Sequence, residues 1–162
     1  MKSKSTYPHL DHIYSDDLAF SSLIMNNLKR SNLEAHLHGI IVDLGCGSGQ
    51  TLHLLKKEYP SAICIGVDLA PSKWFPVSYV CADMRQTGIK DGTATLVFSV
   101  NIGDYLTNEF TANQLWTEVD RLLVPGGVYL SLDISCDELT APFRAAGYRE
   151  LRPYLYLKQN DI

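Results

Sequence analysis

The stretch Ile40–Gln50 reads IIVDLGCGSGQ, an apolar run that ends in an acid and continues directly into three glycines at alternate positions. A short apolar run bounded by glycines is typical of a parallel strand covered on both faces. The next residues, TLHLLKK from Thr51 to Lys57, change to a helical spacing of apolar side chains. The glycines therefore lie at a predicted turn from a strand into a helix. At such a turn a ligand can approach the backbone closely, and the first N–H groups of the helix have no partner within the helix.

The spacing of these glycines separates two classes of nucleotide-binding loop. A dinucleotide fingerprint requires G-x-G-x-x-G, whereas here the third glycine comes one residue early and Gln50 occupies the dinucleotide position. The whole pattern, acid-x-Gly-x-Gly-x-Gly after a strand, resembles the first motif of class I S-adenosylmethionine-dependent methyltransferases. The alternative reading of the pattern is a structural turn without a ligand. The resemblance implies that the cofactor is contacted by Asp43, Gly45, Cys46, Gly47 and Gly49.

A second acid follows at the end of the next predicted strand, residues 61–68, which closes on Asp68. In nucleotide-binding α/β folds an acid at this place accepts hydrogen bonds from ribose hydroxyls, because two neighbouring O–H donors match the two oxygens of a carboxylate. The other interpretation of Asp68 is a solvated loop acid. The resemblance also implies a cofactor contact at Leu69. Residues 69–76 contain two prolines and leave no room for the crossover helix usual in the family, so we expect Trp74 and Phe75 to cover the sheet instead.

The third predicted strand, residues 77–82, runs into Asp83-Met84-Arg85. This phrase resembles the third cofactor element of the same family, in which the acid accepts a hydrogen bond from the adenine amino group and the following backbone N–H reaches the ring. The resemblance thus assigns Asp83 and Met84 to the adenine. An N-cap or turn aspartate is the alternative for Asp83.

The fourth predicted strand, residues 93–100, resembles the ubiquinone- and menaquinone-biosynthesis group of small-molecule methyltransferases, although that group usually has an acid where Thr95 stands. The resemblance implies cofactor contacts from Ser99 and Asn101. The segment from Asn101 to Tyr105 follows this strand and faces the crevice where open α/β sheets bind ligands. It lacks the Asn/Asp-Pro-Pro-Tyr/Phe signature of enzymes that methylate amino groups of nucleobases or glutamine, which disfavours those substrates.

The rest of the chain completes the same pattern. A helix with a capping-box form beginning at Thr111 precedes a Leu-x-Pro-Gly-Gly phrase, residues 123–127, which resembles the turn of the family into its fifth strand. Two short strands follow, at residues 148–151 and 154–158. The resemblance covers roughly residues 38–158. It implies an α/β fold, a Rossmann-like three-layer αβα sandwich with a mostly parallel sheet and a C-terminal antiparallel strand pair.

At 162 residues the chain is expected to form one domain, residues 1–162, with an N-terminal helical lid over 1–38 and a Rossmann-like core over 39–158. An amphipathic helix is predicted from Asp16 to Arg30, and a second short one with Asn32 as its N-cap. In the family an N-terminal helix commonly covers the cofactor. His9, His12 and Tyr14 are therefore candidate lid residues, the alternative being that they only pack or face solvent.

Net charge and cysteine usage restrict the partners. A formal net charge of −4 disfavours binding to nucleic acid or to anionic membranes. No run approaches a membrane span, and no apolar segment of a signal peptide follows the first charges. Four cysteines without C-x-x-C spacing, at positions 46, 64, 81 and 136, are interpreted as buried thiols of a cytoplasmic protein, with no metal site.

The resemblance implies methyl transfer from S-adenosylmethionine to a small-molecule acceptor, with S-adenosylhomocysteine as the product. Since the methyl group of the cofactor is already electrophilic, few catalytic side chains are needed, and Asp104, His12 and Tyr14 are the candidates for taking a proton. Two alternatives stay open. One is a nicotinamide oxidoreductase, and the other is a catalytically silent family member that acts as a binding or activator partner. The acceptor and the oligomeric state are not defined by the sequence.

Overall fold

The computed structural model describes residues 10–71, 75–106, 108–132 and 142–159, with side chains described from residue 19 onward. Among these residues three α-helices are found, at α1 (Leu10–Arg30), α2 (Gln50–Glu58) and α3 (Glu109–Leu122). Shorter 3₁₀ segments lie at Glu34–His38 and Gly103–Tyr105. The strands are β1 (Ile40–Leu44), β2 (Ile63–Asp68), β3 (Ser78–Cys81), β4 (Ala94–Val100), β5 (Leu123–Leu132), β6 (Arg149–Arg152) and β7 (Leu155–Leu157).

The strands form one sheet in the order β3-β2-β1-β4-β5-β7-β6. The first five in this order pair in parallel, and β7 pairs antiparallel with both β5 and β6. This confirms the predicted mostly parallel sheet with a C-terminal antiparallel pair. The strand order reverses between β1 and β4, and in open α/β sheets the crevice at that point, beyond the carboxyl ends of the strands, is where ligands bind.

Helices cover both faces of the sheet, which explains the continuous apolar runs of its central strands. In β4, Leu96 and Phe98 belong to one buried cluster and Val97 to the other, because successive side chains of a strand point to opposite faces. The first cluster also contains fully buried residues of α1 and α2, and the second contains the apolar side of α3. The molecule is thus the three-layer sandwich that the sequence predicts.

The carboxyl end of α1 is anchored to β6 of the sheet. The guanidinium of Arg152 in β6 donates hydrogen bonds to Ser31 Oγ (3.0 Å) and to the carbonyl of Arg30 (2.9 Å). The prediction that Asn32 caps a second helix is wrong. The cap of the 3₁₀ segment is Leu33, and Asn32 adopts the left-handed conformation with φ of 57°, which asparagine tolerates better than most residues.

Thr95 explains one departure from the family pattern. Its hydroxyl lies 3.0 Å from the carbonyl oxygen of His36 and 3.1 Å from that of Ile40, so it donates toward backbone acceptors. A carboxylate in the same place would face two oxygens of like partial charge. The threonine therefore fits the tight connection between the 3₁₀ segment and β1.

Helix α3 begins three residues earlier than its predicted capping box. The N-cap is Asn108, whose side chain accepts a hydrogen bond from the N–H of Thr111 (2.9 Å), while Thr111 Oγ1 accepts from the N–H of Asn108 (3.4 Å). The prediction that Thr111 starts the box is wrong, since Thr111 is its N3 residue. The cause is that asparagine and threonine both satisfy the pattern, and the sequence does not show which of them begins the helix.

A buried carboxylate fixes the loop before β4 to α3. Glu118 Oε1 accepts hydrogen bonds from the N–H (2.8 Å) and hydroxyl (2.6 Å) of Thr87 and from the guanidinium of Arg121 (2.5 Å). Arg121 also pairs with Asp91 at the far end of the loop. Burial opposes the ionisation of Glu118, but the hydrogen bonds from Arg121 and Thr87 outweigh it and hold the pKa of the carboxyl below its ordinary value.

We expect Glu118→Gln to lower the free energy of unfolding at pH 7 by about 1.5–3 kcal/mol, the scale for hydrogen bonds to a charged group. Because the pKa of Glu118 is depressed in the folded state, its contribution is complete above the pKa of the unfolded chain and is lost as pH falls through the folded value. The difference between wild type and variant should therefore shrink below about pH 4.5. Urea unfolding followed by circular dichroism at pH 7 and pH 3.5 measures both effects.

The matched control is Glu58→Gln, which neutralises an exposed glutamate on α2. Its unfolding free energy should change by less than about 0.5 kcal/mol at either pH. An equal loss in both variants, or a difference for Glu118→Gln that persists at pH 3.5, would contradict the assigned role.

Candidate functional site

A cavity of about 330 Å³ opens where the carboxyl ends of β1 to β4 meet. Each of the four strands contributes the residues that directly follow it or end it, as expected for the switch point of such a sheet. The cavity is lined by Gly45, Gly47, Asp68, Leu69, Ala82, Asp83, Met84, Arg85, Val100, Asn101, Ile102 and Tyr105. Three separate predicted elements, namely the glycine loop and the two acidic strand ends, thus meet at one place.

The glycine loop is tied to the end of β2 by its backbone. The N–H groups of Gly45 and Cys46 donate to the carbonyl of Val67 at 2.8 Å and 3.0 Å. The N–H of Gly47 donates to Asp68 Oδ2 at 2.9 Å. These bonds extend the β1–β2 pairing past the strand ends and hold the loop and the acid in a fixed relation.

The three glycines of the loop are needed for different reasons. All three have positive φ, at 85° for Gly45, 51° for Gly47 and 79° for Gly49, a region that side chains disfavour. A Cβ at Gly45 would come within 2.7 Å of Ile102 Cγ2, and one at Gly49 would overlap the ring of Tyr79. A Cβ at Gly47 would meet no protein atom within 4 Å. Gly47 is therefore the glycine that keeps space open on the cavity side.

The side chain of Tyr79 in β3 packs against the glycine loop. Its hydroxyl lies 2.7 Å from the carbonyl oxygen of Ser48 and 3.0 Å from that of Phe75. The ring of Phe75 stacks on His53 of α2 at 5.0 Å between centroids. This assembly stands where the family usually has a crossover helix. We predicted that Phe75 covers the sheet. Its observed partner is His53 in the first turns of α2. Trp74 lies outside the described residues.

The carboxylate of Asp68 is oriented by two backbone donors. Oδ2 accepts from Gly47 and Oδ1 accepts from the N–H of Ala70 at 3.0 Å. A carboxylate offers about four acceptor sites, so one remains on each oxygen. The neighbouring Leu69 lines the cavity and is 71% exposed, which leaves an apolar side chain at the entrance.

Asp83 is held by Arg85, a residue that the sequence analysis did not single out. Asp83 Oδ1 accepts from the backbone N–H and from Nε of Arg85, both at 2.9 Å, and Oδ2 accepts from Nη2 at 2.6 Å. The side-chain hydrogen bonds from Arg85 lower the pKa of Asp83, and burial only partly opposes them. Because Arg85 follows Asp83 by two residues, an Asx turn closed by an arginine was the pattern that could have predicted this pair.

The residues after β4 form the remaining wall. Asn101 lines the cavity with φ of 53°, one of the non-glycine residues with a left-handed backbone, and such strain is concentrated at functional sites. Ile102 and Tyr105 also line it. Asp104 is exposed in the 3₁₀ segment and is not among the lining residues, so its neighbour Tyr105 is the side chain nearer the cavity.

Several predicted site residues lie behind the cavity. Asp43 in β1 is 3% exposed, and Ser99 is fully buried with its hydroxyl 2.9 Å from that of Tyr129. Cys46 is buried, and burial together with Asp43 and Asp68 raises the pKa of its thiol. These three residues support the strand ends and are not among those that line the cavity.

The side chains of His12 and Tyr14 in α1, and the whole of His9, lie outside the described residues. Of the cysteines, Cys46 and Cys64 are buried, whereas Cys81 is exposed and its thiol lies 3.0 Å from the carbonyl of Leu69. The prediction of burial is therefore wrong for Cys81, because it ends the edge strand β3; Cys136 lies outside the described residues.

The described part of the chain contains neither a cluster that could hold a metal ion nor a helix that could span a membrane. No cluster of three or more histidine, cysteine or acidic residues there has the geometry to hold a metal ion. None of the helices in that part is both long and apolar enough to cross a membrane.

Comparison with known proteins identifies the family. A family model described as a methyltransferase domain matches residues 42–131, more than half of the chain, from within β1 to within β5. The chain belongs to the methyltransferase domain family. The match does not support the nicotinamide oxidoreductase alternative. Comparison with curated proteins finds no match.

Solved structures share the fold of this methyltransferase domain. A protein of Methanococcus maripaludis, provisionally described as an S-adenosyl-L-methionine-dependent methyltransferase, aligns with a TM-score of 0.65 at 17% identity, over 100% of this chain and 98% of its own. Streptomyces venezuelae DesVI gives 0.64 at 20% identity, over 83% of this chain and 61% of its own. The sugar N-methyltransferase KedS8 of a Streptoalloteichus species gives 0.60 at 20% identity, over 81% and 57%. This chain thus spans less than two thirds of the last two proteins.

We expect Gly47→Val to abolish binding of S-adenosylhomocysteine, because the added branches enter the space that Gly47 leaves open, while far-UV circular dichroism keeps the signal of the folded protein. Isothermal titration calorimetry with S-adenosylhomocysteine measures the binding. A positive φ alone strains a β-branched residue, so a control must carry the same strain away from the cavity.

Gly92→Val is that control. Gly92 has φ of 57°, close to the 51° of Gly47, and a Cβ there also meets nothing within 4 Å. The control should bind S-adenosylhomocysteine with wild-type affinity. Wild-type affinity in Gly47→Val would instead show that the loop serves the fold alone.

Proposed function

We propose that this protein transfers a methyl group from S-adenosylmethionine to a small-molecule acceptor. The observation that carries the proposal is the meeting of the glycine loop, Asp68 and Asp83 around one cavity of about 330 Å³. The methyltransferase domain match supports the reaction class. The sulfonium of the cofactor supplies an electrophilic methyl group, and the tasks left to the chain are binding, orientation and exclusion of water.

The polar groups of the cavity fit this cofactor. Asp68 has one acceptor site left on each carboxylate oxygen, which suits the two neighbouring ribose hydroxyls. Asp83 and Met84 also line the cavity, and we assign them to the adenine. Gly45 and Gly47 line it with backbone that carries no side chain, and we assign this surface to the remainder of the cofactor. Asp43, Cys46, Gly49 and Ser99 act as supports in this proposal.

The acceptor side of the cavity is assigned to the 3₁₀ segment after β4. Tyr105 lines the cavity there, and Asp104 stands next to it. Asn101, directly after β4, stays assigned to the cofactor. We propose that Asp104 takes a proton where the acceptor requires it, with His12 and Tyr14 of a lid over residues 1–38 as the other candidates. The name of KedS8, a sugar N-methyltransferase, supports a small-molecule acceptor. Within the family we propose the ubiquinone- and menaquinone-biosynthesis type as the nearest group.

We also propose that the protein works in a reducing compartment such as the cytoplasm. Cys46, Cys64 and Cys81 are free thiols in the described structure. Burial raises the pKa of the Cys64 thiol to about 11, which keeps it in the unreactive thiol form at neutral pH.

The proposed function is tested by turnover. The purified protein is incubated with methyl-labelled S-adenosylmethionine and a small-molecule extract, and the labelled products are identified by mass. A labelled small molecule that depends on the protein supports the proposal. Binding of S-adenosylhomocysteine without any transfer would favour the silent binding or activator partner, and binding of NAD in its place would overturn the cofactor assignment.

Asp68→Ala should weaken binding of S-adenosylhomocysteine by about 1.5–3 kcal/mol, because two hydrogen bonds to a charged group are lost. The melting temperature of the protein without ligand should also fall slightly, because the hydrogen bonds that Asp68 accepts from the N–H groups of Gly47 and Ala70 are lost. Calorimetric titration measures the affinity, and Glu109→Ala, which removes an exposed acid from the first turn of α3, is the control. Unchanged affinity in Asp68→Ala would remove Asp68 from the ribose role.

Once an acceptor is known, Asp104→Asn should slow methyl transfer without abolishing it. Assistance by a proton-accepting group contributes about 10²–10⁴-fold, whereas orientation contributes about 7–11 kcal/mol, so the larger share of the acceleration remains. Single-turnover rates against pH are compared for Asp104→Asn, His12→Ala, Tyr14→Phe and Tyr105→Phe. Rates within twofold of wild type in the first three, with the same pH profile, would leave positioning as the whole mechanism.

A further inference from the structure

The carboxylate of Asp83 has a single acceptor site left. Oδ1 accepts two hydrogen bonds, from the backbone N–H and Nε of Arg85, and Oδ2 accepts one from Nη2. Since each carboxylate oxygen offers about two lone pairs, Oδ1 is saturated and one site remains on Oδ2. The planar guanidinium fixes the rotation of the carboxylate, because Nε and Nη2 form a fork that matches both oxygens.

We propose that Arg85 is a positioning residue that makes the cavity selective for a purine carrying an exocyclic amino group. The fixed carboxylate of Asp83 offers one acceptor, Oδ2, to one N–H donor of the base. This inference rests on the proposed function, in which Asp83 contacts the adenine of the cofactor. It goes further in assigning the choice between an amino and an oxo purine to Arg85.

The ionisation of Asp83 limits which hydrogen bond it can make. An ionised carboxylate only accepts, and a protonated one also donates. An aspartate of ordinary pKa is already ionised at pH 7, and the hydrogen bonds from Arg85 lower the pKa of Asp83 further, so Asp83 is an acceptor throughout the physiological range. A 6-oxo purine would place a carbonyl oxygen against Oδ2, an arrangement in which neither group has a proton to share.

The rotation of the carboxylate matters as well as its charge. A 6-oxo purine also carries an N–H on the adjacent ring atom, and a freely rotating carboxylate could turn to accept from it. Arg85 prevents this turn by occupying three of the four acceptor sites. Gln114 of α3 lies on the outer side of the guanidinium, with Oε1 3.4 Å from Nη1 of Arg85, and thus limits its movement.

Few charged residues line the cavity. The charged residues that line the cavity are Asp68, Asp83 and Arg85, and the side chains of Asp83 and Arg85 are 36% and 35% exposed. Arg85 is therefore reachable by solvent and is not a core residue. Its replacement should leave the fold intact.

The test compares S-adenosylhomocysteine with S-inosylhomocysteine, which differs in carrying a 6-oxo group. Calorimetric titration gives the dissociation constants of both for wild type, Arg85→Gln and Arg85→Lys. Wild type should prefer the amino ligand by about 10–150-fold, the scale for a hydrogen bond to a charged group. The preference should fall below about fivefold in Arg85→Gln. It should also fall in Arg85→Lys, because lysine keeps the charge without the fork.

A pH profile separates the effect of the charge of Arg85 from the effect of its fork of N–H groups. Between pH 4.5 and 8 the wild-type affinity for S-adenosylhomocysteine should stay constant. In Arg85→Gln the pKa of Asp83 is released upward toward its ordinary value, so the affinity should begin to decrease at a higher pH than in wild type. Arg85→Lys should keep the flat profile. A loss of general structure alone would not divide the two variants in this way.

The control for these variants is the substitution of another exposed arginine. Arg149→Gln changes an exposed arginine of β6 and should keep the wild-type preference and profile. If Arg85→Gln does not fold, Gln114→Leu, which frees the outer side of the guanidinium, should still reduce the preference at least twofold. Failure of wild type to bind S-adenosylhomocysteine overturns both the proposed function and this inference. Binding with an unchanged preference in the variants overturns the role of Arg85 alone.

Discussion

The site depends on the hydrogen bonds between the loop after β1 and the end of β2. The carbonyl of Val67 and the carboxylate of Asp68 together accept the N–H groups of Gly45, Cys46 and Gly47. Backbone donors of a turn must be satisfied when the turn is packed against a sheet. Here they are satisfied by the next strand, so the path of the loop and the orientation of Asp68 are set by the same bonds. If either side were displaced, the cavity would lose both its floor and its first acid.

A second constraint comes from the short connection between β2 and β3. Parallel strands are usually joined through a helix, but residues 69–77 are too few and contain two prolines. Tyr79 reaches back from β3 to the carbonyl of Ser48, and its ring occupies the space beside Gly49. The requirement for a third glycine therefore follows from packing against Tyr79 in this chain. The loop needs an outside support, and the side chain of Tyr79 provides it.

The sequence predicted most of the fold because both faces of the sheet are buried. Every central strand is a continuous apolar run, and each strand end is marked by an acid, a glycine or an asparagine, so the position of the site followed from the pattern, while the arrangement of the sheet followed from the resemblance to a known family. The errors lie at helix boundaries, as with Asn32 and Thr111, where several residues of similar capping propensity compete and tertiary contacts decide. The prediction for Cys81 failed because periodicity does not show which strand lies at the edge of the sheet.

Candidate site residues were predictable where the backbone dictates them, and less so where side chains pair. Gly47, Asp68, Asp83 and Asn101 follow strand ends and are found at the cavity, whereas Asp43 and Ser99 belong to the same strands but point into the layers behind it. Arg85 was missed because its role depends on the pair that it forms with Asp83. Three donors of Arg85 occupy the carboxylate and leave one acceptor site on it. In both acids of the cavity, donors of the chain occupy some of the acceptor sites of the carboxylate. The acceptor sites that remain determine which donors of a ligand can bind. In the proposed assignment, what the cavity selects in its ligand follows from these remaining sites, because bonds from Ala70, Arg85 and the glycine loop leave defined acceptors on the two carboxylates.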